Sequence, residues 1–239
     1  METINGVEVY RATPAGAPKG ALILIHEIWG LVDHIKTVAN RYATDGYLVI
    51  APDLLSVQGI TPEVGQDLVA MMTEPDEEKR LANQTALREG MAPARAPGYA
   101  EVALDMLTRV VDGLETEGFD KIAVLGFCFG GTYSYALAAQ DKRIVAAVPF
   151  YGTAPQDDRI PGITCPVLAF YGEIDPPIME DYPRVEAAMA KNNIDWESHV
   201  YPGVQHAFFN DTNKLRYNAE ATADSWKRST EFLNNIFSS

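Results

Sequence analysis

Cysteine is scarce in this chain: 239 residues hold two, Cys128 and Cys165. That count excludes a disulfide-stapled scaffold, and free thiols suit a reducing, cytoplasmic compartment. Positive charge is also short. Nineteen Lys and Arg face 33 Asp and Glu, a formal net charge of −14. Nucleic acid and anionic membrane surfaces call for a basic patch, so neither is expected as a partner. The first residues, Met1 to Gly6, hold no basic segment and no apolar core, so no secretory leader is expected. No apolar run is long enough to cross a bilayer. What is present is an ordinary globular composition, 47% hydrophobic and 22% charged, able to form a sizeable core. A single domain over 1–239, acting as a monomer, is expected.

Short apolar runs recur along the chain. Ala21 to Ile25, Tyr47 to Ala51, Ile122 to Leu125, Ile144 to Phe150 and Pro166 to Tyr171 read as strands covered on both faces. Val7 to Ala12 alternates weakly, like an edge strand, and Trp196 to Tyr201 is the last strand. Helical spacing appears over Asp33 to Asp45, Tyr99 to Leu114, Ile178 to Lys191 and Ala219 to Phe237. Strands alternating with helices predict an α/β fold with a mostly parallel central sheet and helices on both faces. Residues 55–97 are the least regular, with helical patches over Pro62 to Met72 and Pro75 to Glu89. This charged segment is expected to form a lid over the strand ends rather than a domain of its own.

The centre of the pattern is Leu125-Gly126-Phe127-Cys128-Phe129-Gly130-Gly131. An apolar strand precedes it, and the spacing predicts a helix over Thr132 to Ala139. A strand meeting a helix through Gly-x-Cys-x-Gly is a nucleophile elbow with cysteine in place of serine. The bend strains the central residue and exposes it at the positive end of the helix dipole, where a thiolate is favoured. A dinucleotide-binding turn does not fit, because glycines at 126, 130 and 131 miss the G-x-G-x-x-G spacing. Cys165, at a strand start before Pro166, reads as a small buried hydrophobe.

Ligands of parallel sheets bind at the carboxyl ends of the strands. Glu27, Cys128, Asp175 and His206 each follow an expected strand, so four reactive side chains converge on one edge. Cysteine needs a base, and the base needs a carboxylate to orient it. Cys128, Asp175 and His206 stand in the order nucleophile, acid, histidine. Of the other histidines, His34 is expected on the exposed side of a helix and His199 within a strand. His26 is expected to shape the pocket wall. Glu173 and Asp181 are rival acids, but Asp175 sits on a tight turn before Pro176-Pro177. The backbone N–H groups of Phe129 and Ile28 are the expected oxyanion donors.

Together, His26-Glu27-Ile28-Trp29-Gly30, the cysteine elbow, Tyr171-Gly172-Glu173-Ile174-Asp175 and His206-Ala207-Phe208-Phe209-Asn210 resemble the dienelactone hydrolase (carboxymethylenebutenolidase) family of the α/β-hydrolase superfamily. The resemblance runs over nearly the whole chain. It implies a hydrolase without metal or organic cofactor, with Cys128, His206 and Asp175 as its triad. It also implies that Glu27 contacts the resting cysteine and helps generate the thiolate when substrate arrives. The family reaction opens the lactone of 4-carboxymethylenebut-2-en-4-olide to maleylacetate, a step in degrading chlorinated aromatics. The family's carboxylate-binding arginines have no clean match among Arg80, Arg88 and Arg95, and no arginine follows His206 before Arg216. Trp29, Arg80, Arg88, Tyr151 and Phe208 are the candidate substrate contacts. Two other readings stand beside this one. One is an esterase of small uncharged esters, with Phe208 and Phe209 lining an apolar pocket. The other is a non-catalytic binding protein of the same fold.

Overall fold

A computed structural model describes residues 2–238. Among these residues the elements in chain order are β1 (Glu2–Ile4), β2 (Val7–Ala12), β3 (Ala21–Ile25), α1 (Asp33–Thr44), β4 (Leu48–Pro52), α2 (Pro62–Met72), α3 (Glu77–Ala82), α4 (Gln84–Met91), α5 (Tyr99–Thr116), β5 (Ile122–Phe127), α6 (Phe129–Gln140), β6 (Ile144–Phe150), β7 (Val167–Ile174), α7 (Pro176–Lys191), β8 (Trp196–Gln205) and α8 (Ala219–Ser238). They build one sheet in the order β1-β2-β4-β3-β5-β6-β7-β8. The first two strands run antiparallel, and all pairings from β4 to β8 are parallel.

The unbroken apolar runs follow from burial on two faces. Along β3, Ala21, Ile23 and Ile25 join a core shared with α5, α6 and α7. Leu22 and Leu24 point the other way, into a core shared with α1 and α8. By contrast β2, nearer the edge, alternates buried and exposed positions along its first residues.

This strand order creates the cleft. From β3 the chain crosses to β4 on one side, then returns to place β5 on the other. The loops after β3 and β5 therefore part at a topological switch point, where ligands of such sheets bind.

Four expectations need correction. The three-residue β1 carries too short a pattern to be read from sequence. The last strand continues past Tyr201, through Pro202 and Gly203 to Gln205; proline is tolerated because this is an edge strand. The helix expected over Pro75 to Glu89 is two helices that meet at Asn83, whose side chain donates to Met71 O at 3.3 Å instead of capping α4. His34 is buried rather than exposed, its Nδ1 3.4 Å from Asp211 Oδ1. The loop after β8 returns over the start of α1, which helical periodicity alone does not reveal. Within the irregular segment, Leu68, Leu87 and Ala94 join the core on the α5 side, so this stretch shares that core.

Candidate active site

At the end of β5 the backbone turns through Cys128 at φ 56°, ψ −111°, and α6 begins at the next residue. A non-glycine residue there costs on the order of 1–3 kcal/mol and persists only where its surroundings fix it. Cys128 N–H donates to Phe150 O at 3.0 Å, and Thr132 N–H donates to Cys128 O at 3.0 Å. The glycines allow the close approach. A Cβ on Gly126 would lie 2.2 Å from Gly130 O, and one on Gly130 would lie 2.2 Å from Ile25 O. The helix begins at Phe129, three residues before the expected start, because its glycine-rich first turn reads as loop.

Asp175 follows β7 and stands at the N-cap of α7, with proline in the first helical turn. It is buried. His206 follows β8, and its Nδ1–H donates to Asp175 Oδ2 at 2.5 Å. This leaves Nε2 for the Cys128 thiol. Burial alone would pull the His206 imidazole down. Hydrogen bonds to Asp175 and Cys128, and their charges, outweigh it and raise the ring to about 10. Because the folded value lies above the ordinary 6.5, the contribution to stability is complete below 6.5 and is lost as pH rises through about 10.

Across the cleft, the loop after β3 carries Glu27, fully buried, with Oε2 accepting from Asn210 Nδ2 at 2.6 Å. The sequence reading missed Asn210. It lies 183 residues from Glu27, and its only signal is that a buried carboxylate needs a donor. Among the described residues, neither Glu27 Oε1 nor the Tyr151 hydroxyl, both buried, closes a hydrogen bond of ordinary geometry. The hydroxyl lies beside Glu27 and Cys128. Burial above all, and then those two negative groups, push the phenol well above its usual range.

His26 does not line the cavity. It is wholly buried: Leu54 N–H donates to Nε2 at 3.2 Å, so Nδ1 carries the proton and donates to Glu27 O at 2.6 Å. Its ring stacks on Phe129, centroids 5.5 Å apart and planes within 8°. The two expected oxyanion donors flank this stack. Phe129 opens α6, so its N–H has no acceptor inside the helix. Ile28 N–H makes no backbone hydrogen bond among the described residues.

A cavity of about 600 Å³ opens at this end of the sheet, and Glu27, like His26, is buried outside its lining. Cys128, Asp175, His206, Ile28, Phe129 and Tyr151 all line it. The other candidate contacts do not. Phe208 and Phe209 are fully buried in the core beside α1 and α8, because each packs on Phe150 there. Trp29 packs against both cores. Arg80 donates to the Glu74 carbonyl at 2.8 Å, and Arg88 lies outside the lining on α4. Arg95 and Arg216 are the arginines that line the cavity, and neither guanidinium has a protein partner among the described residues. Arg95 comes from the short turn before α5, and Arg216 from the loop before α8.

This architecture and its site have known counterparts. A Saccharolobus solfataricus protein with the provisional name carboxymethylenebutenolidase is 33% identical over 252 residues, covering 96% of this chain and 94% of its own. A Synechocystis protein with the same provisional name is 31% identical over 222 residues, covering 87% and 82%. A solved Klebsiella pneumoniae structure, provisionally named a dienelactone hydrolase, superposes with a TM-score of 0.77 at 27% identity, over 97% of this chain and 92% of that one. The sheet and its layers are those of the α/β-hydrolase fold. The sequence profile of the dienelactone hydrolase family spans residues 7–237, from β2 into the last turn of α8. The chain belongs to that family and is a hydrolase of carboxylic esters or lactones.

Proposed function

We propose that Cys128 is the nucleophile of a lactone hydrolase that works through a thioester. The observation that carries this reading is the 2.5 Å bond from His206 Nδ1 to Asp175, at a histidine that faces the strained Cys128 across the cavity floor. The Cys128 sulfur, its proton passed to His206 Nε2, attacks the carbonyl carbon. The oxyanion rests on the N–H groups of Ile28 and Phe129. One such donor is worth about 3 kcal/mol in the transition state. Collapse breaks the bond to the ring oxygen, which takes the proton back from His206. His206 then removes a proton from water as it attacks the thioester. The acid leaves and the thiol is restored. Rapid quenching during turnover of a slow ester should find the acyl mass on the peptide that contains Cys128. An acyl group on a serine or threonine peptide instead would overturn the thioester route.

The substrate we favour is a small lactone bearing a carboxylate, of the dienelactone type. Two unpartnered arginines in one cavity support this, in a chain of net charge −14. The neutral-ester reading loses its apolar wall, because Phe208 and Phe209 lie in the core. Hydrogen bonds to charged groups contribute about 1.5–3 kcal/mol, or roughly 10–100-fold. Arg95→Ala and Arg216→Ala should each lower kcat/KM for a carboxylate-bearing lactone by that factor. The matching methyl ester should change less than about twofold. Equal losses on both compounds would remove the anionic substrate from the reading.

A further inference from the structure

Tyr151 stands out among the buried groups that this chemistry leaves unused. It follows β6 at φ 37°, a strained value for a residue with a side chain. Its N–H is fixed on Phe170 O at 2.7 Å. Its ring lies 5.0 Å from the His206 ring and 5.3 Å from Phe208. The ring is thus wedged between the core and the catalytic histidine, only 1% exposed. A tyrosine in such a place normally spends its hydroxyl on a partner. Among the described residues the hydroxyl closes no hydrogen bond of ordinary geometry, and neither does Glu27 Oε1, although the two lie near enough to interact. An unmet buried donor and an unmet buried acceptor face one nucleophile. Each costs about 1–3 kcal/mol while unpaired, so both gain when they meet.

We propose that Tyr151 is a positioning residue whose hydroxyl takes Glu27 Oε1 when the thiolate forms, holding the carboxylate charge away from the Cys128 sulfur. Asn210 already holds the other oxygen, Oε2. With both donors engaged, Glu27 is anchored by two neutral groups whose dipoles offset part of its charge, so it opposes negative charge on sulfur less. The hydroxyl suits this part, because its environment keeps its proton in place across the working pH range. The charged and titratable groups facing it are Glu27 from the loop after β3, Cys128 from the elbow, and His206 from the loop after β8, with Asp175 behind the histidine. No proton leaves Tyr151 in this scheme; a hydrogen bond forms and no covalent bond changes.

The proposal rests on Cys128 as nucleophile. That reading is judged by the acyl-peptide experiment, whereas Tyr151 is judged by ratios between variants. Tyr151→Phe keeps the ring and removes only the hydroxyl. Alkylation of Cys128 by iodoacetamide at pH 7 should slow about tenfold, and kcat/KM should fall at least as far. The acid limb of the pH profile should move upward. Cys165 does not compete for the reagent, because burial raises its thiol to about 11. In a Glu27→Gln background the same substitution should change the alkylation rate less than twofold, since there is no charge left to hold. The thermal midpoint should stay level or rise, since an orphaned donor is removed. An unchanged alkylation rate and pH profile in Tyr151→Phe would overturn the proposal. So would an equal loss in the Glu27→Gln background, or a midpoint several degrees lower.

Discussion

Cys128→Ala should reduce ester and lactone turnover by on the order of 10⁵–10⁶-fold, the usual cost of deleting a nucleophile whose partners act with it as a unit. The remaining rate would come from the oxyanion donors and from binding. The fold should survive, because Cys128 is only partly buried and its main-chain bonds to Phe150 and Thr132 do not involve the sulfur. Cys128→Gly makes a useful companion. At φ 56° glycine sits without strain, so this variant should be equally inactive yet more stable by about 1 kcal/mol. Circular dichroism with thermal melts separates the two effects. Turnover in Cys128→Ala within tenfold of the parent would show that another residue attacks the carbonyl.

Gly130→Ala should act on the frame instead of the chemistry. The added Cβ would lie 2.2 Å from Ile25 O, 2.6 Å from Ile25 C and 2.7 Å from His26 O. All three are backbone atoms, so no side chain can swing aside. Either α6 lifts from the sheet or the end of β3 shifts. Overpacking commonly costs about 1–3 kcal/mol, and a clash against main chain should exceed that range. At about 2–4 °C per kcal/mol for a chain of this size, the midpoint should drop by at least roughly 6–12 °C. Activity should vanish even in folded material, because the same displacement moves the loop that carries Glu27 and Ile28. Gly16→Ala is the control. It has nothing within 4 Å of the added atom, so its change should stay within about 0.5 kcal/mol. A Gly130→Ala protein that melts like its parent would mean that the helix is not seated on β3 so tightly.

The buried strands were legible because covering both faces of a sheet leaves one-dimensional apolar runs, as in Ala21 to Ile25. The glycines of the elbow were legible because that bend admits few other residues. Asp175 and His206 were picked out by chain order, which the topology of the sheet imposes, and the structure brings the two side chains together. What stayed hidden depends on where separate loops meet. His34 is buried by a loop containing Asp211. Asn210 finds Glu27 only after the sheet is assembled. Arg80 and Arg88 sit in the same irregular segment as Arg95, and nothing local distinguishes the one that turns toward the cavity. Phe208 and Phe209, beside the histidine in sequence, point into the core because the chain turns sharply at Ala207, where φ is 62°.

His26 has a consequence for selectivity. One face of its imidazole lies against Phe129, while its Nδ1 clasps the peptide that leads into Ile28. The gap between the two amides proposed to hold the oxyanion is thus gauged by a single aromatic plate. It need not wait for an arriving ligand to set it. Burial pulls the proton affinity of that plate down, so it stays electrically silent. If the substrate is the anionic lactone proposed above, a cation in the same spot would lure its carboxylate into the slot proposed for its carbonyl oxygen. Under the proposed chemistry, a neutral ring would leave that arm to Arg95 and Arg216 at the cavity wall.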